Sequence, residues 1–106
     1  MTAPEAAAAP AVTRNAEDHR FEATLEGHTS VLTYREAAGR VTLIHTEVPP
    51  ELRGRRIAET LARAALDDAR RRGLQVRPLC PFVQTFMKRH PEYADLVAPG
   101  TPTGGS

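Results

Sequence analysis

The sequence predicts a mixed α/β domain in the order β-β-β-α-β-α, and three observations carry that reading. Short alternating or β-branched runs fill the first half, and a long stretch with apolar residues at helical spacing follows. A brief apolar run then leads into a proline-opened helical segment. Short turns between the first three strands make them antiparallel, whereas a helical crossover makes the third and fourth strands parallel neighbours.

Phe21, Ala23 and Leu25 alternate with polar residues and form the first predicted strand. Glu26-Gly27-His28 supplies a turn, and Ser30 to Glu36, rich in Val, Leu, Thr and Tyr, forms the second. After Ala38-Gly39, the near-continuous apolar and threonine content of Val41 to Val48 suits a strand buried on both faces. Pro49-Pro50 ends it, because proline cannot donate to the ladder. From about Arg55 to Arg72, residues Ile57, Ala58, Leu61, Ala62, Ala65, Leu66 and Ala69 recur at 3.6-residue spacing with charged residues opposite. Gly73 stops this helix, Leu74 to Leu79 forms a fourth strand ending at Cys80, and Pro81 opens a second helix through about His90. Residues 1–16 are rich in Ala and Pro and residues 98–106 in Pro, Gly, Thr and Ser, so both are expected to be disordered tails flanking a domain at 17–97.

The chain has 106 residues, room for one domain. Its 41% hydrophobic and 25% charged content with net charge +1 is globular and gives no bulk attraction to a polyanion. No stretch approaches the roughly 20 apolar residues of a membrane span, and the N-terminal alanine run lacks the features of a signal peptide, so a cytoplasmic location is expected. A single cysteine makes no intramolecular disulfide, and no CxxC pair or HExxH segment suggests zinc. Of the four histidines only His45 lies within a predicted strand together with a carboxylate two residues away, so no metal site is expected.

Charge is unevenly placed: eight basic against four acidic residues lie between Glu51 and Arg77. Arg53, Arg55 and Arg56 sit where a loop becomes a helix N-terminus, whose macrodipole favours an anion. Arg53-Gly54-Arg55-Arg56-Ile57-Ala58, entered from Val48, combines unpaired backbone amides, a permissive glycine and positive charge, the parts of a phosphate cradle. A solvated arginine face on a surface helix is the alternative; no Walker loop or GxGxxG fingerprint is present.

This strand-loop-helix segment resembles motif A of the GNAT N-acetyltransferase superfamily, Gln/Arg-x-x-Gly-x-Gly/Ala. His45-Thr46-Glu47-Val48, Ala64 to Arg70, Leu79-Cys80-Pro81-Phe82-Val83 and Arg89-His90-Pro91-Glu92-Tyr93 resemble the small stand-alone members of that superfamily, over about Phe21 to Val97. The resemblance implies a minimal GNAT-like fold that binds acetyl-CoA, its pyrophosphate on the amides from Val48 and Arg53 to Ala58 and its pantetheine arm between two splayed parallel strands. Arg53 matches the opening Gln/Arg and Ala58 the closing Gly/Ala, while Arg56 stands where the pattern has glycine. That side chain either crowds the pyrophosphate or swings outward and adds a cation.

Acetyl transfer to an amine needs a neutral nucleophile and a proton for the departing thiolate. Glu47 and His45, two apart on one strand face, are candidates to take a proton from an incoming ammonium. The alternative makes His45 a satisfied buried histidine and Glu47 a strand-end carboxylate. Cys80, placed by the resemblance near the acyl end of the cofactor, is the candidate proton donor or acyl acceptor, or else a buried small hydrophobe. Tyr34 and Tyr93 do not match the tyrosine acid of larger members. Phe82 and Phe86 read as core. The expected activity is acetyl transfer from acetyl-CoA to a primary amine, an exposed protein lysine or N-terminus. A non-catalytic acyl-CoA sensor is the second reading, and a nucleic-acid binder, lacking an aromatic platform, a distant third.

Overall fold

A computed structural model describes residues 10–97. Five strands form one sheet in the order β1-β2-β3-β4-β5, comprising β1 (Val12–Asn15), β2 (Arg20–Leu25), β3 (His28–Ala37), β4 (Arg40–Glu47) and β5 (Gln75–Pro78). The first four are antiparallel neighbours and β4 pairs with β5 in parallel, as the connection lengths require. Helix α1 (Ile57–Arg72) is the crossover, α2 (Pro81–Arg89) follows β5, and a 3-10 segment at Pro91–Leu96 ends the described chain.

Turn chemistry sets the register of the two central hairpins. Leu25 pairs with His28 and Ala37 with Arg40, leaving two-residue loops Glu26-Gly27 and Ala38-Gly39. All four residues have positive φ, the type I′ geometry that matches strand twist.

The alternation of β2 and β3 puts Phe21, Ala23, Leu32 and Tyr34 on the face that α1 covers. Val41, Leu43 and Val76 continue that face, against Leu61, Ala62, Ala65, Leu66 and Ala69 of α1. The alanines let the helix lie close to the sheet. Gly73 ends α1 in the left-handed conformation, with Gly73 N–H donating to Arg70 C=O and Leu74 N–H to Ala69 C=O at 2.9 Å, a Schellman stop. Tyr93 Oη donates to Asp67 at 2.7 Å, and Arg70 makes a two-pronged pair with Asp95, which fastens the C-terminal 3-10 segment to α1. Burial and then the Asp67 contact push the Tyr93 phenol up from its ordinary value.

Four differences from the sequence reading have physical causes. Val12–Asn15, assigned to the N-terminal tail, is an edge strand, because Asn15 closes the turn to β2 with its side chain. Asn15 accepts from Asp18 N–H and donates to Asp18 and Glu22, each at 3.1 Å. The remainder of the expected tails, residues 1–9 and 98–106, lies outside the described residues. Strand β4 is not buried on both faces: only Val41 and Leu43 are buried, since both helices lie on one side of the sheet. Helix α1 starts at Ile57 rather than Arg55, because the preceding residues form a 3-10 turn at Pro50–Leu52 and a loop. Strand β5 stops at Pro78, and Cys80 is the N-cap of α2 rather than a strand residue.

Candidate active site

The site is built where the parallel pair parts. The β4–β5 ladder ends at Leu43 opposite Pro78, and Leu79 and Cys80 both donate their N–H to Leu43 C=O at 2.9 Å. Strand β4 runs on to Glu47 with no β5 residue beside it, which opens a gap at its C-terminal end.

On β4 a bulge decides which side chains face that gap. Thr33 lies opposite His45 but Tyr34 opposite Leu43, so Ile44 is an extra residue. Without it, simple alternation would put His45 and Glu47 on the helix-covered face with Val41 and Leu43. With it, they stand on the uncovered face opposite Thr33 and Val31, and Thr46 turns toward the helices. The side chains of His45 and Glu47 are 61% and 69% exposed, with Nε2 and Oε2 3.5 Å apart. His45 is therefore not a buried core histidine.

A cleft of about 780 Å³ runs round this end of β4. On the uncovered sheet face it meets Arg20, Val31, His45 and Glu47; on the helix side it meets Thr46, Val48, Arg53, Ala58 and Phe82. Arg20 is neutralised by Glu22 at 2.5 Å, and this contact followed by Asn15 holds the Glu22 carboxyl below its ordinary range. A second recess of about 360 Å³, lined by Val48, Arg53, Gly54, Arg56, Ile57 and Ala58 among others, adjoins the first at the start of α1.

That start presents backbone amides without partners. The first helical bond runs from Thr60 N–H to Arg56 C=O at 3.2 Å, and no side chain caps the helix. Among the described residues the amides of Ile57, Ala58 and Glu59 thus have no backbone acceptor, the arrangement that binds anions. Arg56 adopts the left-handed conformation, φ 61° and ψ 26°, at the position where the motif has glycine. Its side chain is 83% exposed and its one carboxylate partner among the described residues is Glu59 at 3.9 Å, so it turns outward although the residue borders the recess. Arg53 lines both cavities and has no carboxylate partner among the described residues.

Not every expected residue faces the cavities. Arg55 is forked onto Glu26 at 3.2 and 2.9 Å, its N–H donates to Leu52 C=O, and it lines neither cavity. This contact depresses the Glu26 carboxyl. Cys80 is buried and does not line the cleft, but its Sγ is 3.3 Å from the Oγ1 of Thr46, which does. Phe82, expected in the core beside Phe86, is half-buried and lines both cavities; Phe86 alone is core. Thr46 and Arg20 were not singled out from sequence as site residues, and Phe82 was read as core. The phase of β4 past Ile44 is the signal that would have found Thr46, but a bulge leaves no residue signature here. Among the described residues no three His, Cys, Asp or Glu side chains group to hold a metal, and no helix is long and apolar enough to cross a membrane.

A mixed sheet whose parallel pair parts beside an uncapped helix start defines the class, and sequence comparison places the chain within it. Residues 20–96 match the GCN5-related N-acetyl-transferase family. The chain is 35% identical over 102 residues to protein NATD1 of Bos taurus, covering 92% of this chain and 90% of that protein. It is 37% identical over 83 residues to protein NATD1 of Danio rerio, covering 74% and 76%. The solution structure of a GCN5-like protein from Staphylococcus aureus superposes with a TM-score of 0.64 at 20% identity, covering 86% of this chain and 90% of that one. The chain belongs to the GCN5-related N-acetyltransferase family, whose members are acyltransferases.

Proposed function

We propose that the protein transfers an acetyl group from acetyl-CoA to a primary amine on a protein, a lysine side chain or an N-terminus. The observation that carries this reading is the cleft that reaches from Arg53 and Ala58, beside the anion cradle at the start of α1, to an exposed His45–Glu47 pair on the other side of β4.

The residues at the helix start fit the diphosphate of CoA: the amides of Ile57, Ala58 and Glu59 converge on one recess, and Arg53 adds a cation. The edge of β4 beyond Leu43 has no strand partner, so its backbone groups suit the amides of a pantetheine arm laid in the gap. Bound acetyl-CoA supplies an activated thioester. Glu47, assisted by His45, accepts the proton of the incoming ammonium, directly or through water, since a lysine of ordinary pKa near 10.4 arrives charged. The Cys80 thiol delivers a proton to the departing thiolate through the Thr46 hydroxyl and is reprotonated from solvent.

The buried position of Cys80 favours a second reading, in which acyl-CoA binds without turnover. Steady-state acetylation of a lysine peptide separates the two. Glu47→Gln is expected to lower kcat about 10²-fold or more, and Cys80→Ala to lower it less, with acetyl-CoA affinity kept in both. Wild-type protein that binds acetyl-CoA yet acetylates no amine establishes the second reading. Unchanged turnover in either variant removes the role given to that residue.

A further inference from the structure

We propose that the uncovered face of the sheet is a docking surface for an acidic, extended segment of a partner protein, held by Arg35, Arg40 and Arg77. Both helices pack on the other face, so this face of a five-stranded sheet carries no layer of the described chain. Arg35 of β3 lies opposite Thr42 of β4, and Thr42 opposite Arg77 of β5. Their flanking pairs, Val41 with Val76 and Leu43 with Pro78, are buried beneath α1 and α2, so the Arg35–Thr42–Arg77 row points away from the helices. Arg40 stands two residues from Thr42 on the same strand and face.

Strands about 4.8 Å apart root the three arginines around one threonine. All three are exposed and none makes an ion pair among the described residues. Elsewhere Arg14, Arg20, Arg55, Arg70, Arg71 and Arg72 each have a carboxylate partner, whereas Arg53, Arg63 and Arg89 have none among the described residues. A hollow of about 320 Å³ beside the cluster is lined by Arg35, Ala37, Ala38, Arg40 and Thr42. Three uncompensated cations at one spot repel one another until an anion is brought to them.

The distance to the cleft says which anion fits. Glu47 lies on the same face of β4, five residues from Thr42, about 15 Å at strand rise. An extended peptide covers that span in four to six residues. A lysine presented to Glu47 and His45 therefore places Asp or Glu residues four to six positions away on the arginines. Among the strand residues on this face there is no Phe, Tyr or Trp, so a nucleic acid finds no stacking platform.

The proposal rests on the acceptor site described above, and its test reads binding separately from turnover. Fluorescence anisotropy is measured with a labelled decapeptide carrying one lysine and three glutamates five positions away, with its glutamine counterpart, and with a single-stranded DNA 10-mer. Wild-type protein is compared with the triple variant Arg35→Gln, Arg40→Gln, Arg77→Gln, and acetyl-CoA binding is followed by thermal shift in both. The acidic peptide is expected to bind at least about tenfold more tightly than the glutamine peptide, to lose that advantage in the triple variant, and to weaken with added salt. Acetyl-CoA binding stays unchanged in the variant. Equal binding of both peptides, an unaffected triple variant, or tighter binding of the DNA than of the acidic peptide overturns the proposal. Selective peptide binding without any response to acetyl-CoA leaves the docking surface standing and removes the acetyl-transfer reading instead.

Discussion

Arg56 concentrates the tension between sequence and site. A left-handed backbone at a residue with a Cβ costs about 1–2 kcal/mol, and glycine removes that cost while adding freedom to the unfolded chain. Among the described residues the guanidinium has one carboxylate partner in return, Glu59 at 3.9 Å on the helix surface. Arg56→Gly is therefore expected to stabilise the protein by about 1 kcal/mol, a rise of several degrees in Tm for a domain of this size, with acetyl-CoA affinity preserved. A lower Tm would show that the side chain supports the loop. A large loss of acetyl-CoA affinity in calorimetric titration would show that the guanidinium is itself a ligand of the phosphates. The sequence identified Arg56 as the position that departs from the motif; which way its side chain turns depends on the backbone, which only the structure supplies.

At the scale of elements, the long helix and the hairpin turns were legible because their signals are local. Helical periodicity, Gly73 and the Gly-containing turns each act within a few residues. Strand β1 and the bulge in β4 were not, for a different reason in each case. Strand β1 has four residues of which only Val12 is apolar, and its pairing is fixed by the Asn15 side chain reaching Asp18 and Glu22. Asn15→Ala is expected to release this edge. Amide hydrogen exchange at Thr13 and Arg14 should accelerate about fivefold or more, corresponding to about 1 kcal/mol, while Leu61 to Leu66 in α1 stay protected. Uniform acceleration across both elements would mean that β1 is part of the cooperative core rather than a clipped edge. The bulge at Ile44 inverts the faces of His45, Thr46 and Glu47 within a run of apolar and threonine residues whose phase no alternation reveals.

Over the whole molecule, the candidate site was readable as a set of residues but not as an arrangement. Val48, Arg53, Gly54, Ile57 and Ala58 line one recess at the start of α1. Arg55, next in line, is drawn off by Glu26, 29 residues away in sequence, and Cys80 meets Thr46 across 34 residues. Such pairings follow from tertiary packing and leave no local trace. Both helices lie on one side of the sheet, so the proposed acceptor path crosses its other face, while the proposed cofactor cradle lies at the helix side of β4. The account rests on that division, and first of all on the cradle at the start of α1. Thermal unfolding with acetyl-CoA, CoA and ATP tests it most directly. At 100 times its dissociation constant a bound ligand adds about 2.7 kcal/mol, several degrees for a domain of this size. The account predicts that acetyl-CoA and CoA both raise Tm by that order and ATP by much less; a Tm unmoved by saturating acetyl-CoA and CoA would contradict it.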